Sequence, residues 1–215
     1  MIKKALLICG ILSSLLYTAM NIFIPMQWEG YSTFSQTVSE LSAIDAPTRT
    51  VWVMLARIYT LLFAGFGLGI VSSAGTTRSI LITGWLVIIF GILGLAWPPM
   101  HQREVLAAGG KSVTDTMHIV FAIITVLLML LIMSFGTVAM GKKFRIYTIL
   151  SIILLLLFGS LTSKDASLVE SNLPTPWMGV WERINIGIFL LWVIVFALAL
   201  WKKEYLNPKE KLINF

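Results

Sequence analysis

Six runs of about 20 apolar residues divide the chain, and no other feature constrains its fold as tightly. A helix rises about 1.5 Å per residue, so each run is long enough to cross about 30 Å of hydrocarbon. Of the 215 residues, 58% are hydrophobic and 12% charged, whereas soluble domains carry roughly 25% charged residues. A soluble core of this size has no room for six such runs, so lipid must solvate much of the surface. Backbone N–H and C=O groups in lipid must be bonded internally, and continuous apolar runs do this as helices. The sequence therefore predicts an all-α, single-domain, six-transmembrane-helix bundle over residues 1–215. The helices are expected at about 4–24, 51–73, 79–97, 114–140, 144–163 and 180–201. Pro98 and Pro99 stop the third, because proline cannot continue the helical ladder.

The first run follows Met1-Ile2-Lys3-Lys4 and extends from Ala5 to about Met26. That exceeds the apolar core of a signal peptide, about 7–15 residues, and no convincing small-x-small cleavage site follows it. It is expected to be an uncleaved first helix. Cys9, the single cysteine, lies in this run and has no partner for an intrachain disulfide.

The net charge is +6. The basic residues flank the apolar runs, where they set topology and meet anionic lipid; membrane lipids, not nucleic acid, are the expected partners. One set of connections holds ten of them: Lys3, Lys4, Arg78, Lys142, Lys143, Arg145, Lys202, Lys203, Lys209 and Lys211. The alternate set holds four: Arg49, Arg103, Lys111 and Lys164. The positive-inside rule then predicts both termini in the cytoplasm; a plasma-membrane location is a separate expectation. Glu204 and Glu210 apart, the carboxylates fall on the other side.

The connections on that outer side are long, at about 25–50, 98–113 and 164–179. Long connections in a compact protein usually carry function or are disordered. In the first, Phe34, Val38, Leu41 and Ile44 recur at helical spacing beside a Ser32, Ser35, Ser39, Ser42 stripe, and Pro47 ends the pattern. A short amphipathic helix is expected there, lying on the membrane face or folded over the bundle. Pro174, Pro176, Trp177 and Trp181 predict a stiff turn with tryptophans at headgroup level. Gly65 and Gly69 form a G-x-x-x-G pair that permits close helix packing.

Ionisable side chains at membrane depth are expensive and need a partner or a purpose. Arg57 lies about two turns inside the second helix, and Asn21 near the end of the first. Asp115 and His118 share a face of the fourth at i and i+3, and Glu182, Arg183 and Asn185 open the sixth. His101 and Glu40 lie in loops that can fold over them. Topology sets all of these at one depth. Each also has a structural reading: Arg57 snorkelling or ion-paired, Asp115 favoured by the helix dipole, His118 bonded to Asp115, Glu182 paired with Arg183.

Three chemistries fit the set. His101, His118 and one or two of Asp115, Glu40 and Glu182 could hold a zinc-like divalent ion with a position left for water. Asp115 could orient His118 as general base for Ser35 or Ser39 as nucleophile. The carboxylates and histidines could instead relay protons in a transporter, although such sites usually lie near the midplane beside broken helices.

Four segments carry a family likeness: Tyr31-Ser-Thr-Phe-Ser-Gln-Thr-Val-Ser-Glu-Leu-Ser-Ala, Pro99-Met-His-Gln-Arg-Glu, Thr114-Asp-Thr-Met-His, and Pro174-Thr-Pro-Trp with Trp181-Glu-Arg-Ile-Asn. They resemble the bacterial and archaeal membrane family known as DUF998. The resemblance spans nearly the whole chain and implies about six membrane helices. It carries no activity over to any residue.

The functional expectation is a membrane-embedded hydrolase or transferase acting on a lipid or lipid-linked substrate at the outer leaflet. His118 would be base or metal ligand and Asp115 its orienter, while His101, Glu40 and Glu182 supply a second acid, ligand or substrate contact. Arg57 and Arg183 would hold an anionic headgroup, with Asn185, Asn21 and Ser39 as further contacts. The metal set would be His101, His118 and Asp115. A small transporter or channel, and a non-catalytic sensor or assembly partner, are the alternatives.

Overall fold

Each apolar run forms one helix: α1 (Ile2–Phe23), α2 (Arg49–Ser73), α3 (Arg78–Leu95), α5 (Val113–Val138), α6 (Lys142–Glu170) and α7 (Met178–Tyr205), with a short α4 (Arg103–Ala107) before α5. The computed structural model describes residues 2–205. Lys209, Glu210 and Lys211, which entered the charge count, lie outside the described residues. All six long helices are long and apolar enough to cross a membrane.

The largest boundary difference is at α6, expected to end near 163 but continuing to Glu170. The polar stretch Thr162–Glu170 still suits a helix, and the stop comes from backbone geometry further on. Asn172 takes the left-handed conformation (φ 55°). Its N–H donates to Val169 O at 3.0 Å and that of Leu173 to Leu168 O at 2.9 Å. These two bonds close a Schellman motif, and Pro174 follows it. The third of the long connections is thus half helix. The short α4 was not anticipated: five residues are too few for a periodic signal.

Consecutive long helices pack side by side, and contacts between α1 and α7 close the ring. Small residues set the closest approaches. A Cβ on Gly84 would lie 3.0 Å from Gly67 O, so α2 and α3 meet backbone to backbone. A Cβ on Gly69 would lie 2.9 Å from the Leu6 carbonyl carbon, which identifies α1 as the partner of the G-x-x-x-G face. Leu7, Phe63, Phe66, Ile132, Phe189, Trp192 and Phe196 fill the interior. Leu61, Ile92, Leu127 and Leu157 are more than half exposed and turn outward, as lipid solvation requires.

The connection between α1 and α2 folds over one end of this ring. It is not the expected amphipathic helix. Only Ser39–Ser42 is helical in its 34–44 stretch, as a 3₁₀ turn. Side chains compete for the backbone groups that a helix needs: Gln36 Oε1 accepts from Ser32 N at 2.8 Å, and Glu40 Oε1 from Thr37 N at 2.9 Å. Of the four apolar positions, Val38 and Leu41 join a second core cluster with Met20, Ile24 and Trp52, while Phe34 is 58% exposed.

Candidate functional site

The loop-capped end gathers most of the sequence-predicted polar residues into four separate constellations. The first joins Glu40 to Arg103. Arg103 Nε donates to Oε2 at 2.8 Å and Nη2 to Oε1 at 2.7 Å, a bidentate fork. Thr37 N, Thr37 Oγ1 and Gln36 Nε2 also donate to the Glu40 carboxylate. Arg103 reaches on to Ser35 O and Thr175 Oγ1. Its hydrogen bonds with Glu40 push the guanidinium pKa above its ordinary value. Arg103 was not among the predicted site residues, since an arginine in a polar loop reads as solvated.

The second constellation binds the loop to α7. Arg183 Nη1 donates to Thr33 O (2.9 Å), Gln36 O (3.0 Å) and Gly179 O (3.0 Å), and Nη2 to Tyr31 Oη at 2.7 Å. Tyr31 in turn donates to Thr37 O. Burial pushes the Tyr31 phenol above its ordinary pKa, which keeps this donor protonated. Glu182 does not pair with Arg183 through a hydrogen bond; its Oε2 accepts from Val38 N.

The third is built on Asp115. With Ser112 it forms a capping box at the start of α5. The same carboxylate accepts from His101 N at 2.6 Å and lies 2.9 Å from His101 Nδ1. Asp115 therefore holds His101. The expected Asp115–His118 hydrogen bond is absent among the described residues, because an acid at the third helical position folds back toward the N-cap.

The fourth is His118 with Ser39. His118 is buried, with Nδ1 2.8 Å from Pro98 O and Nε2 3.1 Å from Ser39 Oγ. A carbonyl oxygen only accepts, so Nδ1 carries the proton. In the neutral ring Nε2 is then the acceptor and the Ser39 hydroxyl the donor. The Trp97 ring stands edge-on to the imidazole, with centroids 5.2 Å apart.

Three predicted residues lie elsewhere. Arg57 is exposed on the outer surface of α2. Asn21 Nδ2 bonds Tyr17 O on its own helix, and Asn185 Nδ2 crosses to Leu155 O of α6. The predicted metal set also does not assemble. His118 spends both nitrogens on Pro98 and Ser39, and Asp115 is saturated by His101 and Ser112. Among the described residues no group of three His, Cys, Asp or Glu side chains is placed to hold a metal ion.

The family model described as "Protein of unknown function (DUF998)" matches residues 11–199. The chain belongs to the DUF998 family. The matched span starts within α1, ends within α7 and includes the loop cap. No match to the chain is found among curated proteins or solved structures.

Proposed function

We propose that this DUF998 protein is a membrane-embedded serine hydrolase or acyltransferase acting on an ester of a lipid or lipid-linked substrate. The observation that carries the reading is the Ser39–His118 pair. Pro98 O fixes the imidazole tautomer, and Nε2 faces the Ser39 hydroxyl at 3.1 Å. A backbone carbonyl thus takes the orienting role that a carboxylate fills in a triad.

In this mechanism Ser39 Oγ attacks the ester carbonyl carbon, forming the Oγ–C bond while its proton passes to His118 Nε2. The bond from that carbon to the alcohol oxygen breaks, and His118 returns the proton to the departing oxygen. Water, or a second hydroxyl, then repeats the sequence at the acyl-Ser39 ester and gives hydrolysis or transfer. Glu40–Arg103 and Arg183 hold the loop on which Ser39 rides. We further assign the capped end to the outer leaflet, with both termini cytoplasmic, on the ten-to-four bias of basic residues.

The test is fluorophosphonate labelling of the detergent-purified protein, with the adduct mapped by peptide mass spectrometry. The expected adduct is on Ser39, is lost in Ser39→Ala and His118→Ala, and persists in Ser35→Ala. A wild type that takes no label, or an adduct that survives His118→Ala, overturns the reading.

A further inference from the structure

Arg57 points to a second site, distinct from the Ser39–His118 pair. Arg49, Val53 and Arg57 recur at every fourth residue and so share one face of α2. The two arginines are eight positions apart, about 12 Å along the axis. Together with Thr50 and Met54 these residues line an open cavity of about 350 Å³, within the range of about 300–1,000 Å³ typical of small-molecule sites. The surrounding surface is apolar and faces outward: Met54 is 57% exposed and Leu61 62%.

Two guanidinium groups therefore stand on a lipid-facing surface. Among the described residues no carboxylate forms a salt bridge with either. Arg49 uses one N–H on Ser42 O, and the rest of its five-donor fork is available. A cation at this depth is costly unless an anion meets it or its stem lifts it to the interface. No described carboxylate is paired with either arginine, whereas the leaflet offers lipid phosphates, whose geometry matches the guanidinium fork. Two cations that no described carboxylate salt-bridges favour a headgroup of net negative charge over a zwitterionic one. Val53 and Met54 supply an apolar floor for the start of its acyl chains.

We infer that the Arg49–Arg57 face of α2 binds the headgroup of an anionic phospholipid. The test is native mass spectrometry of the delipidated, detergent-purified full chain with phosphatidylglycerol or phosphatidylcholine of identical acyl composition. The wild type is expected to retain about tenfold more phosphatidylglycerol, the ratio that one charge-assisted hydrogen bond supports. Arg49→Gln/Arg57→Gln should lower this to the phosphatidylcholine level. Lys142→Gln/Lys143→Gln, which removes equal charge at the opposite end of the bundle, should lower it by clearly less than the arginine pair does. Added inorganic phosphate should not displace the lipid. Equal retention of the two lipids, undiminished retention in the arginine variant, an equal loss in the lysine variant, or displacement by phosphate would each overturn the inference. The readout uses no acyl probe, so it stands or falls independently of the chemistry at Ser39.

Discussion

Glu40 and Arg103 are 63 positions apart, yet they make the best-formed ion pair at the capped end. The Glu40 side chain is 4% exposed and that of Arg103 23%. Removing one partner leaves the other's charge with little solvent. Glu40→Ala should therefore destabilise the protein by about 2–4 kcal/mol, somewhat less than the roughly 3–5 kcal/mol of a wholly buried pair because Arg103 keeps some water. Thermal unfolding in micelles tests this, and Glu40→Ala/Arg103→Ala should cost less than the two single changes combined. Arg103→Lys keeps the charge but loses the fork, so its Tm should fall between wild type and Glu40→Ala. The sequence brought these acids and bases to one end but did not disclose who pairs with whom. Asp115 and His118 look like partners at i and i+3, yet Asp115 turns back to Ser112 and His101. His118 is oriented by the carbonyl of Pro98, a group that every residue carries and no residue type announces.

At the scale of elements, the loop between α1 and α2 and the start of α7 form one unit. Gly179 N donates to Phe34 O at 2.9 Å. A Cβ on Gly179 would collide with Gln36 O and lie 2.5 Å from Thr33 O, both backbone atoms that cannot swing away. Gly179→Ala should lift the loop off α7. Limited proteolysis in micelles should then cut residues 25–48 faster than in wild type, while the helices stay intact. An unchanged cleavage rate would show that the loop is held without this contact. The same loop marks a limit of periodicity as a guide. Phe34, Val38, Leu41 and Ile44 are spaced for a helix, but Gln36, Thr37 and Glu40 bond the local backbone and leave only the Ser39–Ser42 turn. The burial of Val38 and Leu41 was legible from that spacing; the backbone path that achieves it was not.

For the whole molecule the open question is which face of the membrane the capped end meets, and the single cysteine makes it accessible. On a Cys9→Ala background, Glu29→Cys and Lys143→Cys place thiols at exposed positions on opposite ends of the bundle. A membrane-impermeant maleimide should label Glu29→Cys in intact cells and Lys143→Cys only after permeabilisation. The reverse pattern would invert the assigned orientation and move the Ser39 site to the cytoplasmic leaflet. Hydropathy alone determined the six spans, their approximate limits and the crowding of polar residues at one end, because the transfer of an apolar run into lipid depends on that run and needs no partner. Only the tertiary structure decided that His118 faces Ser39, that Arg103 clasps Glu40, and that Arg57 looks out to lipid rather than into the cluster. These depend on which helices become neighbours, how each is rotated and where one loop crosses the bundle end. Such relations are set by packing between segments far apart in the chain, and a local pattern of residues does not encode them.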